Sequence, residues 1–318
     1  MNAIAVAGPV SGRQLHKFGG SSLADVKCYL RVAGIMAEYS QPGDMMVVSA
    51  AGSTTNQLIS WLKLSQSDRL SAHQVQQTLR RYHSDLISGL LPPETAEPLI
   101  AEFIQDLERL AVLLDEKLDD VIYAEVVGHG EIWSARLMAA VLNKLDMQAA
   151  WLDARDFLRA ERAAQPQVDE GRSYPLLQQL LAQHPGKRLV VTGFISRNDA
   201  GETVLLGRNG SDYSATQVGA LAGAERVTIW SDVAGVYSAD PRKVKDACLR
   251  CCAWTKPVNW RVWRLRCCTP VLCSRYPAAI SIFNCVAVIS RNRVQRVSNA
   301  CWPRAPVRRS SPAMTTCV

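Results

Sequence analysis

Three short runs constrain this chain most: residues 45–50 (MMVVSA), Arg188–Thr192 (RLVVT) and Arg226–Trp230 (RVTIW). Each is nearly all apolar or β-branched, so each reads as a strand buried on both faces. Each runs into a turn: Ala51-Gly52-Ser53-Thr54-Thr55-Asn56, then Gly193-Phe194, then Ser231-Asp232-Val233-Ala234-Gly235. Two more strands are expected, at 14–18 leading into Gly19-Gly20-Ser21-Ser22 and at 149–153, with a short pairing segment at 203–206. Helical periods fall at roughly 23–40 (Ser N-cap), 57–64, 72–88, 94–117, 132–142, 174–183 and 211–223. The segments from 57 to 117 read as an all-helical insertion over one flank. Strands alternating with helices imply an α/β fold, a mainly parallel sheet covered on both faces.

The chemistry-bearing residues lie where these strands end. Residues 205–215 (LLGRNGSDYSA) set Arg208 between Gly207 and Gly210, with Ser211 and Asp212 opening a helix. Such a helix start aims free N–H groups at an anion, and Arg208 supplies a fork for carboxylate or phosphate. A glycine turn with a Ser cap explains the same letters structurally. Lys17 before Gly19 and Gly20 suits phosphate oxygens, although the Walker order is absent and a solvent-facing Lys before a turn is the plainer reading. Gly128-His129-Gly130 reads as a loop, which places His129 in that loop and Glu131 in the first turn of the next helix. There Glu131 either complements the dipole or receives a substrate ammonium. Ser53 and Thr54 read as an ordinary helix cap. Ser231, Asp232, Tyr237 and Arg242 form a nucleotide edge, or else a β-turn with a packed Tyr.

Taken in order, KFGGSS (17–22), VVSAAGSTTNQL (47–58), GHGEIWSARL (128–137), GFIS (193–196), LGRNGSDYSA (206–215) and WSDVAGVYSADPR (230–242) resemble the aspartate kinases of the amino-acid kinase family. Among these the likeness is greatest to the kinase portion of bifunctional aspartokinase–homoserine dehydrogenases. The resemblance implies a three-layer αβα sandwich over 1–248. It implies Lys17 and Asp212 in phosphoryl transfer, and Ser49, Thr55, Glu131, Phe194, Arg208 and Ser211 around L-aspartate. Lys17, Gly19, Gly20, Ser231, Asp232, Tyr237 and Arg242 would serve Mg-ATP. It also implies a homo-oligomer in the intact relatives. The chemistry agrees: Arg208 and Glu131 complement the α-carboxylate and α-ammonium of aspartate. Its β-carboxylate, with an unperturbed pKa near 4, is ionised and needs no general base. A glutamate or nucleoside monophosphate kinase is the alternative enzyme.

Composition divides the chain near residue 249. Residues 249–318 hold 11 Arg and Lys256 but no Asp, Glu or Gly, while the preceding part has 24 basic and 29 acidic residues. The body therefore offers no case for nucleic-acid binding, and with only Cys28 and Cys248 it reads as a reduced cytoplasmic protein. No signal peptide or membrane span is expected. Eight of ten Cys and four of eight Trp crowd into the last segment. Its paired cysteines lack zinc spacing, and its Arg/Trp content fits no nucleic-acid module, which leaves a basic-tailed binder as the non-enzyme alternative. Translation in a shifted frame accounts for it better. Written as CTG CGC TGC TGC GCC TGG ACG AAG CC, LRCCAWTKP from Leu249 becomes LPLLRLDEA when one C is restored after the first codon. The expectation is an aspartate kinase domain cut short, with low or absent activity and an unstructured tail.

Overall fold

A computed structural model describes residues 12–207 and 210–230 and one strand at 285–287. Arg208, Ser231, Asp232, Tyr237 and Arg242 lie outside the described residues, as does all but three residues of 249–318.

The sheet is built from β1 (Gln14–Phe18), β2 (Met45–Val48), β3 (Ala149–Leu152), β4 (Arg188–Thr192), β7 (Arg226–Trp230) and β8 (Cys285–Ala287). Their order is β3-β4-β2-β1-β7-β8, with the first five parallel and β8 antiparallel to β7. A separate antiparallel hairpin joins β5 (Ile195–Arg197) to β6 (Thr203–Leu205).

Side chains alternate across this sheet and divide the core in two. Leu15, Met45, Val47, Leu189, Val191 and Val227 meet Ala215 and Val218 of α7 (Gly210–Leu221) and Leu177 of α6 (Glu170–Gln183). Phe18, Met46, Val48 and Val190 turn to the other face, against α1 (Val26–Tyr39) and α5 (Asp120–Lys144). Outside α5 pack α2 (Thr54–Ser65), α3 (Arg69–Leu90) and α4 (Pro93–Leu113), which are the expected insertion. The three-layer α/β arrangement is the one expected. No helix among the described residues is long and apolar enough to cross a membrane.

Three local expectations are corrected. The first helix starts at Val26, capped by Asp25, whose carboxylate accepts from Cys28 N–H; Gly20–Leu23 forms a short 3₁₀ turn instead. Ser53 makes no side-chain cap bond, and the Thr54 hydroxyl turns inward to His83 Nε2 at 3.1 Å. The third concerns Gly128–Glu131. These residues lie inside α5, so His129 is not a loop residue and Glu131 is not in a first turn. The glycines serve packing: a Cβ at Gly130 would stand 2.7 Å from Ala50 Cβ, and one at Gly128 would stand 2.7 Å from Ile195 Cγ2. A loop and a hairpin thus close onto α5 from two sides.

Candidate active site

The strands β1, β2 and β4 end side by side, and their following loops form one floor, as expected at the carboxyl edge of a parallel sheet. Lys17 projects from β1 toward α7, where its ammonium lies 2.6 Å from Asp212 Oδ1. The Lys17 side chain is 11% exposed and that of Asp212 36%, so the pair faces the opening. Gly19 carries bare backbone past this ammonium, and a Cβ there would lie 3.6 Å from Nζ. Gly20 presses on the next loop: a Cβ would stand 2.7 Å from the Ala50 carbonyl oxygen. Gly52 N–H donates to Gly20 O at 3.0 Å, joining the two loops directly.

Ser49 and Thr55 stand half-buried on either side of that second loop. Ser211 rests on Gly193, whose N–H donates to Val48 O at 2.9 Å. Phe194 has φ +68°, a left-handed backbone that is costly for a bulky residue and is found at clamps and binding sites. Two bonds enforce it: its N–H donates to Ser214 Oγ at 2.9 Å, and its carbonyl accepts from Leu206 N–H at 2.8 Å.

Glu131 enters beneath this floor. It is 3% exposed, and Oε2 has no hydrogen-bond partner. Burial pushes its carboxyl up to about 8, against the pull of the Ala50 backbone N–H and the Lys17 charge. Its Oε2 thus keeps unfilled hydrogen-bonding capacity beside the Lys17–Asp212 opening. The structure therefore brings together Lys17, Gly19, Gly20, Ser49, Thr55, Glu131, Phe194, Ser211 and Asp212. Arg208 falls outside the described residues.

His129 is turned away from this floor. Its Nδ1 lies 2.6 Å from Glu125 O and its Nε2 2.6 Å from Arg109 Nη2, a geometry that fits neutral imidazole with the proton on Nδ1. Burial lowers its pKa against the pull of Glu125. Next to it, Glu125 accepts from Arg155 at 2.9 Å, from Thr203 Oγ1 at 2.5 Å and from Arg109 at 3.3 Å. Arg155 also pairs with Asp153 at 2.7 Å. This cluster ties α5 to the hairpin that carries Phe194 at one end. Sequence reading missed it, because nothing local marks Glu125, Arg155 and Thr203 as neighbours.

The amino acid kinase family profile matches residues 12–250. This chain belongs to the amino acid kinase family. It is 84% identical over 249 residues to the bifunctional aspartokinase/homoserine dehydrogenase 2 of Escherichia coli K12, a match covering 78% of this chain and 31% of that protein. It is 32% identical over 236 residues to the lysine-sensitive aspartokinase 3 of the same organism, covering 73% of this chain and 51% of that one. In structure it is similar to E. coli aspartokinase III in complex with aspartate and ADP, with a TM-score of 0.68 and 29% identity over 75% of this chain and 53% of the other. The chain thus spans from about a third to about half of the length of these relatives.

Proposed function

We propose that this chain carries the substrate-binding body of an aspartate kinase, which moves the γ-phosphoryl group of ATP to the β-carboxylate of L-aspartate. The observation that carries this reading is the buried Glu131 carboxyl group, whose Oε2 has no hydrogen-bond partner, beside the Lys17–Asp212 opening. An α-ammonium fits against Glu131 Oε2 as a charge-assisted donor, which a neutral sugar hydroxyl is not. Arg208 takes the α-carboxylate, with Ser49, Thr55 and Ser211 as hydroxyl partners and Phe194 closing the side. The β-carboxylate attacks as the free anion, so the protein's task is positioning and charge neutralisation.

Lys17, the Gly19-Gly20 backbone and the N-terminus of α7 suit phosphate oxygens. Mg²⁺ fits as a passenger on the nucleotide phosphates, with Asp212 as the carboxylate within reach, and supplies charge neutralisation there. The similarity to an aspartokinase determined with aspartate and ADP supports the same pair of ligands here. Ser231, Asp232, Tyr237 and Arg242 remain proposed as the nucleotide edge.

The test is calorimetric titration of the 318-residue chain with L-aspartate, L-glutamate, a nucleoside monophosphate and ADP. Binding of aspartate and ADP, with aspartate binding lost in Glu131→Gln, supports the reading. Preference for glutamate or the monophosphate overturns it.

We further propose that the kinase domain ends prematurely near residue 249 through a shifted frame. The E. coli match extends over 249 residues and the family profile stops at 250, where acids and glycines vanish from the composition. Aspartyl-hydroxamate formation is expected to be low in this chain and restored when the frame is restored. Equal activity in both would refute the second proposal.

A further inference from the structure

Two adjacent residues of α3 reach both loops of the active-site floor. Tyr82 Oη donates to Ala24 O at 3.0 Å, at the end of the turn that begins with Gly19-Gly20. The same oxygen would lie 2.9 Å from a Cβ on Gly52, and Ala24 Cα would lie 3.4 Å from it. Tyr82, Ala24 and Gly52 therefore meet at one point, beside the Gly52 N–H bond to Gly20 O. Gly52 has φ +54° and no room for a side chain.

One residue later, His83 is 2% exposed, and its Nε2 lies 3.1 Å from the Thr54 hydroxyl. Thr54 is fully buried, and its Cγ2 would stand 3.1 Å from a Cβ on Gly130, the neighbour of Glu131. Burial lowers the His83 pKa to about 3, so the ring is neutral and its Nε2 shares a hydrogen bond with the Thr54 hydroxyl. Phe103 of α4 and Trp133 of α5 hold the ring, with centroids 4.9 and 5.0 Å away. The core needs a large side chain at positions 82 and 83, but packing alone does not require a phenol or an imidazole.

We propose that Tyr82 and His83 are positioning residues, a splint from the outer helical layer that fixes the spacing between the Gly19–Ala24 turn and the Ala50–Thr55 loop. Their effect on substrate rests on the aspartate kinase reading; their effect on the loops does not. The splint acts through Ala24, Gly52 and Thr54, and neither residue touches substrate. It couples the nucleotide side of the floor to the aspartate side.

The deciding experiment is hydrogen–deuterium exchange on the full chain and on Tyr82→Phe, His83→Leu and His83→Gln. Tyr82→Phe keeps the ring and His83→Gln keeps an acceptor for Thr54. In Tyr82→Phe and His83→Leu, exchange in peptides covering 19–24 and 50–55 should rise at least about tenfold, the signature of a lost restraint worth roughly 1.4 kcal/mol. The thermal midpoint should fall by only a few degrees, exchange in β4 and α6 should stay close to that of the parent chain, and His83→Gln should restore protection at 50–55. No change at either loop, or a uniform rise across the chain, overturns the proposal. Aspartate and ADP titrations of the same variants separate the two readings. If the parent chain binds neither ligand, the kinase reading fails while the exchange data still decide the splint.

Discussion

Lys17 and Asp212 form a 2.6 Å ion pair that joins the end of the first strand to the first turn of α7, across the mouth of the proposed site. The two groups neutralise each other until a ligand enters. Phosphate oxygens arriving at Lys17 must compete with the Asp212 carboxylate, so the pair sets opposite signs for two substitutions.

Lys17→Met keeps the length of the side chain and removes the charge. ADP affinity should fall at least about tenfold, as expected for a lost charge-assisted contact. Asp212→Asn removes the competitor, so metal-free ADP affinity should hold or rise while phosphoryl transfer in the frame-restored chain falls. Stability should move little in either case, because an ion pair with one partner this exposed contributes about 0–1 kcal/mol. Calorimetry and a melting curve check both. Equal loss of ADP affinity in the two variants would remove Lys17 from the phosphate site.

Glu131 yields a pH prediction. Its carboxyl is raised by burial from 4.5 to about 8, so the free protein holds it protonated at neutral pH. The folded state then binds a proton that the unfolded chain has already released. Glu131 therefore contributes a stability loss that grows as pH rises from about 4.5 to about 8. Glu131→Gln should melt higher than the parent chain at pH 8 and equally at pH 4.5. An aspartate ammonium would draw the carboxyl back to its charged form. Binding near pH 7 should thus release close to one proton, read from titrations in buffers of different ionisation heat, and uptake of a proton or release of none would remove Glu131 from the ammonium site.

These residues explain what could be read in advance. Met45–Val48, Arg188–Thr192 and Arg226–Trp230 were legible as buried strands because both faces demand apolar side chains, and the parallel sheet followed. Lys17 and Asp212 stood out as candidates because strand ends and glycine turns are where anion sites form. Phe194 entered only through the family resemblance, and Glu131 was expected in a first turn that the structure replaces with mid-helix. Gly128-His129-Gly130 misled, since glycines that admit Ala50 and Ile195 against a helix look like glycines in a loop. Tyr82, His83, Glu125 and Arg155 left no local signal, because their partners are distant in the chain.

Glu125 shows the opposite sign to Glu131. Burial would raise its pKa, but the Thr203 hydroxyl and the Arg155 and Arg109 guanidinium groups hold the carboxyl down, to about 2. It therefore contributes stability above pH 4.5 that is lost as pH falls toward about 2. Glu125→Gln should lower the unfolding free energy at pH 7 by about 3 kcal/mol, since Arg155 loses one of its two carboxylate partners in a largely buried site. The variant should also show a flatter acid limb below pH 4.5. Arg155→Lys should not substitute, because a single ammonium cannot bridge Glu125 and Asp153 as the guanidinium does. Denaturant titrations across the pH range decide this.

The shifted-frame proposal rests on composition, so DNA decides it most directly. Seventy residues without Gly would be expected to contain about five at average usage. A one-base shift explains the missing glycines and acids together with the surplus of Arg, Cys and Trp, because GC-rich helix codons read out of frame give CGC, TGC and TGG. The codons for Lys245–Pro257 should therefore show one fewer C than a continuous kinase frame needs, immediately after the codon for Leu249. Restoring it should give a chain whose acids return and whose aspartyl-hydroxamate activity exceeds that of the 318-residue form. A read with no sensible alternative frame after Leu249 would leave the Arg-rich segment as genuine protein sequence. Its twelve positive charges would then call for a salt-dependent nucleic-acid binding test with and without residues 249–318.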